Sequence, residues 1–215
     1  MKEVTFDNEH RRNHFDFFNT MEMPHFNLVA HIDFGAMAEY IKLENLHFTS
    51  VVVYLICKTA NSVPELRQRI RGERVVEHDV VHPSFTVPTE GSDVFSFCYV
   101  DYTKEYAAFA NDIHTSIQSK HTAPSFEDEK GRDDYLFLSA MPWVHFTGFS
   151  HAMRINGIDS VPRIVWGKLG GAGSVMLPLG IQAHHALVDG KHAGQFFNRF
   201  QELCNNPNDA IENLS

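Results

Sequence analysis

An apolar run from Val175 to Ala183 ends on two adjacent histidines, His184 and His185, and Ala186-Leu187-Val188-Asp189-Gly190 follows. An amphipathic stretch begins directly after it. This order dictates a strand, a tight turn and a helix: the apolar run is of strand length, and Asp-Gly suits both a turn and a helix start. Such a junction pushes polar side chains out of a packed sheet edge and holds them still. His185 lies four residues before Asp189. Imidazole is the side chain whose free pKa lies close to physiological pH, so a neutral histidine on a rigid element is suited to act as a general base. The competing account is a hydrogen-bonded strand edge followed by an ordinary turn, because His-x-x-x-Asp-Gly is a short pattern.

Size and charge narrow the function classes. A chain of 215 residues suits one domain with a sizeable core, or at most two small ones. The formal charge of -9 argues against nucleic acid as a partner, which would call for a basic face. No apolar run is long enough to cross a bilayer, and no signal-peptide core follows Met1 to Thr5, so a cytoplasmic protein is expected. Cys57, Cys98 and Cys204 are odd in number and far apart, which suits a reducing compartment. The 14 histidines raise the question of a metal. His78 and His82, or His184, His185 and Asp189, could converge on an ion. Neither His-Glu-x-x-His nor paired cysteines accompany them, so no metal is expected. The 18 phenylalanines point to aromatic packing and an aromatic-lined pocket.

Along the chain, Asn8 to Asn19 reads as a helix and Phe26 to Asp33 as a strand with one buried face. A short helix follows over Gly35 to Leu43. A strongly apolar helix then runs from a cap at Thr49 or Ser50 to Val63, buried on most sides. Pro64 starts a further short turn. Strand signals come at Val75-Val76, Phe85 to Val87 and Phe95 to Tyr99, punctuated by Pro83, Pro88 and Gly91. Thr103 to Ser119 reads as a helix and His121 to Arg132 as a loop. Tyr135 to Ser139 and Trp143 to Phe149 read as strands around Pro142. Ile164 to Leu169 and Val175 to His184 form a hairpin over Gly170-Gly171-Ala172-Gly173, which lacks the Lys-Ser/Thr ending of a phosphate loop. The last helix spans Lys191 to Cys204, and the polar tail after Asn205 is expected to fray. This irregular alternation favours a mixed sheet covered by helices in a single α/β or α+β domain over 1–215.

Three segments in order resemble the chloramphenicol acetyltransferase family. They are Arg11-Arg12-Asn13-His14-Phe15-Asp16-Phe17, Ser139-Ala140-Met141-Pro142-Trp143-Val144, and Leu177 through Asp189-Gly190, continued by Asn198 to Cys204. The resemblance covers essentially the whole chain. It implies the α/β two-layer sandwich of CoA-dependent acyltransferases and a homotrimer with active sites at subunit interfaces. It further implies acetyl-CoA as co-substrate and a small-molecule hydroxyl acceptor, chloramphenicol or a relative. Residue by residue, His185 would be the general base and Ser139 the donor to the oxyanion. Asp189 would pair with Arg11 and brace the site, with Gln182 and His184 supporting its wall. Lys168 would lie near CoA, and Phe17, Phe18, Phe26, Phe95 and Phe149 would line the acceptor pocket.

The chemistry agrees with those assignments. A hydroxyl is a poor nucleophile near neutral pH, so a base must take its proton as it attacks. The thioester carbonyl then becomes an oxyanion that needs a fixed donor. None of the cysteines lies in a recognisable reactive motif, which favours direct transfer in a ternary complex. The chain departs from the family at the acceptor side. Glu22 and Pro24 stand where a leucine and a cysteine are usual, and His151 and Met153 where aliphatic residues are usual. His145 replaces a small polar residue and Lys191 an aromatic one. A carboxylate in an apolar pocket would be unfavourable unless solvated or paired. The alternatives are a same-fold acyltransferase with another acceptor and a non-catalytic binding protein that keeps the fold. Dihydrolipoyl acyltransferase cores share the His-x-x-x-Asp-Gly ending but normally carry lipoyl segments and linkers, none of which is seen here.

Overall fold

The computed structural model describes residues 1–123, 126, 131–153 and 159–211. In chain order the elements are β1 (Lys2–Val4), α1 (Glu9–Asn19), β2 (His25–Asp33), α2 (Gly35–Leu43), α3 (Phe48–Asn61) and a 3-10 turn (Pro64–Arg67). Then come β3 (Gln68–Arg71), β4 (Arg74–Glu77), β5 (His82–Pro88), β6 (Phe95–Tyr99), α4 (Tyr106–Thr122) and β7 (Tyr135–Met141). The chain closes with β8 (Arg163–Gly167), β9 (Met176–His184), α5 (Gly190–Asn205) and α6 (Pro207–Ala210). Six strands form one mixed sheet in the order β2-β9-β8-β7-β5-β6, and β1, β4 and β3 form a small second sheet. The pairs β5–β7 and β7–β8 are parallel and the other pairs of the large sheet antiparallel.

Alternation along the strands assigns the two faces of the large sheet. Leu177, Leu179, Ile181 and Ala183 of β9, Leu136 and Leu138 of β7, and Ile164 and Trp166 of β8 belong to the core under the helices. Helix α3 lies at its centre, with every residue from Ser50 to Cys57 buried, as its near-continuous hydrophobicity requires. The opposite face carries His25, Asn27, Ser139, Val165, Gly180, Gln182 and His184, and none of the described helices packs on it.

Several expectations need correction. The segment after Pro142 is not a strand: Val144 N–H bonds back to Met141 O at 3.3 Å and Val144 O accepts from Lys168 N–H at 2.9 Å, so the chain turns away from the ladder. Helix α3 starts at Phe48 with His47 as its cap residue, ahead of Thr49. After Asn205 the chain folds into α6 and buries Ala210 and Ile211 instead of fraying; residues 212–215 lie outside the described residues. Half of the loop expected over 121–132 falls outside them too, and its start belongs to α4. All three cysteines are free and buried. Among the described residues no helix is long and apolar enough to cross a membrane.

One buried cation ties the two sheets together. Arg69 on β3 is 1% exposed. Its guanidinium donates to the carbonyls of Asp133 (2.6 Å), Leu66 (3.0 Å), Gln68 (2.6 Å) and Tyr135 (2.6 Å). The last contact is at the start of β7, the strand that carries Ser139.

Candidate active site

His185 is the first residue beyond β9, and its backbone N–H donates to Pro24 O at 2.8 Å. Its imidazole lies flat on Phe18, with centroids 3.9 Å apart and planes 18° apart. Phe26 closes from β2 at 5.0 Å, and His14 meets the ring edge-on at 5.4 Å. The ring is therefore wedged between α1 and β2. Its Nδ1 is buried without a hydrogen-bond partner among the described residues.

Asp189 is the N-cap of α5. Its carboxylate accepts from Gly190 N–H at 2.5 Å, and its own N–H donates to His192 Nδ1 at 3.0 Å, completing a capping box. The Gly190 N–H holds the Asp189 carboxyl below the usual carboxylate range, with His14, His185 and His192 adding to the effect. The expected ion pair between Asp189 and Arg11 is not formed. Arg11 donates from Nη1 to Ala186 O and from Nη2 to Leu187 O, both at 2.8 Å, and from Nη1 to His14 Nδ1 at 3.1 Å. Asp189 is exposed and already engaged by the helix N-terminus, so it needs no buried counter-charge, while the turn offers Arg11 two carbonyls. Arg11 thus braces the turn that follows His185.

His14 was not assigned a role from sequence, although its spacing from Arg11 on a helix places the two side by side. Burial, followed by the Arg11 charge, lowers its pKa, so the ring is neutral, and an Nδ1 that accepts from Arg11 leaves the proton on Nε2. One ligand atom each of His14, His185 and Asp189 lies within 4.8 Å of the others. Such a trio can hold a divalent ion, but the guanidinium 3.1 Å from His14 opposes a second cation there.

The structure does not bring Ser139 to His185 within one chain. Ser139 is level with Val165 on β8 and Gly180 on β9, five residues short of His185. At about 3.3 Å per residue that is about 16 Å along the sheet, with two strand spacings to cross as well. Ser139 also belongs to the face opposite the helices, whereas His185 shares the parity of Ala183 on the helix side. Phe18 on α1 and Phe26 on β2 lie against His185, and Phe17 meets Phe18 edge-on. Phe95 is on β6, the far edge strand, against Phe97 and Phe126. Phe149 lies against His151 at 4.8 Å. Lys168 is exposed just past β8, and its carbonyl accepts from His145 Nδ1 at 2.9 Å.

Gln182 and His184 are buried on the Ser139 face. Gln182 Oε1 accepts from His151 N–H at 2.8 Å, and His184 Nδ1 accepts from Ala186 N–H at 3.3 Å. Burial, reinforced by His25, lowers the His184 pKa to about 4. His184 and His185 thus point to opposite sides of the strand end and do not act as a pair.

A family model described as chloramphenicol acetyltransferase matches residues 1–201. The chain is 32% identical over 197 residues to chloramphenicol acetyltransferase 3 of Escherichia coli, covering 91% of this chain and 92% of that one. The chain belongs to the chloramphenicol acetyltransferase family. It is an acyltransferase by that membership. A solved chloramphenicol acetyltransferase superposes with a TM-score of 0.82 at 21% identity, over 94% of this chain and all of that one. A dihydrolipoamide acetyltransferase of Azotobacter vinelandii superposes with a TM-score of 0.71 at 14% identity, over 99% of this chain and 94% of that one. The expected fold, a mixed sheet covered by helices, is the one found.

For a chloramphenicol acetyltransferase family member the acceptor-side departures are informative, because the fold gathers three of them. Glu22, His151 and Met153 line one pocket of about 160 Å³, together with Met23, His25 and Gln182. Glu22 is exposed at its rim, so the carboxylate is solvated and not sunk in an apolar lining. Pro24 is buried, and its carbonyl accepts from the His185 backbone N–H. His145 stacks on His31 at 4.7 Å, away from this pocket, and Lys191 is exposed in the first turn of α5.

Proposed function

We propose that the protein is an acetyl-CoA-dependent O-acetyltransferase, that the whole chain works as one domain, and that its acceptor is chloramphenicol or another small hydroxylated molecule. The observation that carries the reading is the wedged imidazole of His185, held by Phe18, Phe26 and the Pro24 carbonyl beside a capped Asp189. A neutral imidazole in one orientation takes the proton from the acceptor hydroxyl as its oxygen attacks the thioester carbonyl. The Ser139 hydroxyl donates to the oxygen that becomes negative. Collapse breaks the carbon–sulfur bond, and the imidazolium returns its proton to the departing CoA sulfur. Lys168, exposed beside the Gly170–Gly173 turn, offers a cation for a CoA phosphate.

The separation of Ser139 and His185 supports a site shared between copies. Neither residue can serve the other's reacting carbon within one chain, so His185 of one copy would face Ser139 of the next. Just beyond the strand that carries Ser139, Trp143 at 72% and Val144 at 50% exposure form an apolar surface suited to such contact. A cyclic homotrimer satisfies this with three equivalent sites. The same reading places the enzyme in the cytoplasm, where acetyl-CoA is available, and gives it a role in antibiotic resistance if chloramphenicol is turned over.

The test is release of CoA thiol from acetyl-CoA with chloramphenicol and a panel of hydroxylated acceptors, with wild type and His185→Ala side by side. Acceptor-dependent release that is lost in the variant supports the reading. Release that persists in His185→Ala, or no release with any acceptor from protein that fails to bind CoA, would overturn it.

A further inference from the structure

The pocket formed by the three acceptor-side departures carries an inference about the substrate class, and it rests on the acyl-transfer reading above. The pocket opens on the Ser139 face of the sheet. Gln182 is two residues along β9 from Gly180, the residue level with Ser139, and is paired with Asn27 on β2. Met23 and His25 flank Pro24, whose carbonyl fixes the base's main chain. The pocket thus lies on the face of the sheet that carries Ser139.

Its lining combines the apolar side chains of Met23 and Met153 with the polar groups of Glu22, His25, His151 and Gln182. His25 Nε2 is already used by Asp159 O at 2.7 Å, and Gln182 Oε1 by the His151 backbone. His151 Nε2 is buried and has no hydrogen-bond partner among the described residues. Burial lowers the His151 pKa to about 4, so the open nitrogen belongs to a neutral ring. A ligand hydroxyl satisfies it in either tautomer, since a hydroxyl both donates and accepts. Among the described residues Glu22 is the one formally charged side chain that lines the pocket, and the Arg163 charge that also acts on His151 is paired with Asp159. An ammonium is therefore favoured at the rim and a carboxylate opposed.

We propose that this pocket is a polar acceptor subsite, and that the acceptor is a compact amine with several hydroxyls, one of which bonds to His151 Nε2 while the ammonium faces Glu22. Chloramphenicol, aromatic and without a cation, is then a poorer fit than an amino-polyol.

The probes are glucosamine, glucose and gluconate, matched in size and differing in charge, with chloramphenicol as the aromatic comparison. Binding to the protein is followed by ligand-observed NMR, and CoA thiol release is measured in parallel. Glucosamine is expected to bind ahead of glucose and glucose ahead of gluconate. Glu22→Gln, at an exposed position, removes the preference for glucosamine over glucose, about fivefold. His151→Leu weakens both neutral and cationic sugars about tenfold by leaving the bound hydroxyl unpaired. His151→Asn, which keeps a polar head, restores part of that loss and separates it from misfolding. Gluconate binding as well as glucosamine, insensitivity to both Glu22→Gln and His151→Leu, or no sugar binding at all would each overturn the proposal. The two readings fail separately. Sugar binding with the expected charge order but no His185-dependent thiol release leaves the pocket standing and removes acyl transfer. Full turnover of chloramphenicol without sugar binding does the reverse.

Discussion

Replacing Arg69 by Met removes the guanidinium that holds β3 to the start of β7 while keeping a side chain of similar reach. Four carbonyls, those of Leu66, Gln68, Asp133 and Tyr135, lose a donor in a site where Arg69 is 1% exposed. At about 1 kcal/mol net for each bond the loss is about 4 kcal/mol. Part is regained because a buried charge no longer has to be desolvated, and burial does push the Arg69 pKa down to about 10. The expected net destabilisation is about 3 kcal/mol, a large share of the 5–15 kcal/mol that is typical of a folded domain, taken as roughly the range here. Urea unfolding monitored by tryptophan fluorescence measures it directly, since Trp166 lies on β8 beside β7. Arg69→Lys, with three donors instead of five, should fall between the two. A loss below about 1 kcal/mol for Arg69→Met would refute the claim that these four bonds organise the junction.

Other outcomes follow from the site. Phe18→Ala should lower kcat/KM about tenfold with the fold retained, because it frees the face of the imidazole; steady-state kinetics with circular dichroism checks this. His184 is buried neutral, with its pKa lowered to about 4, so the unfolded chain binds its proton first as pH falls. Stability is then lost between pH 6.5 and 4, by about 3 kcal/mol at most from this residue, and His184→Gln should flatten that part of a pH–stability curve. The depressed Asp189 carboxyl contributes stability above the ordinary aspartate pKa that disappears as pH falls through its folded value, so Asp189→Asn should blunt acid unfolding below about pH 4. Gly167→Ala would place a Cβ 2.8 Å from Val144 O and 2.9 Å from the Phe146 ring, and a melting temperature lower by about 5 °C is expected by scanning calorimetry.

Much of the fold was legible because periodicity and punctuation agree: α2 spans Gly35–Leu43 and β6 spans Phe95–Tyr99, as read, and the β8–β9 hairpin follows from its apolar strands and glycine turn. β1 and β3 were missed, being three and four residues long and rich in charge, with pairing partners that only tertiary contact reveals. Trp143 to Phe149 has a strand's composition, yet its backbone bonds go to a turn and to Lys168. At the site, the placement of His185 at the end of a strand running into Asp-Gly was readable, as β9 ends at His184. The partner of Arg11 was not, because sequence names charges but does not show that Asp189 is spent on capping α5. The roles of His14 and His151 depend on which atoms neighbouring residues leave open, and this is a property of packing.

Complementation between two disabled chains tests the shared site most directly. His185→Ala and Ser139→Ala proteins, each nearly inactive, are denatured together in equal amounts and refolded as mixed oligomers, and thiol release is assayed. A site built from His185 of one copy and Ser139 of the next regains about a quarter of wild-type activity, the share of interfaces that random assembly leaves with both residues intact. Mixed oligomers no more active than the separate variants would contradict it and require both residues to act within one chain.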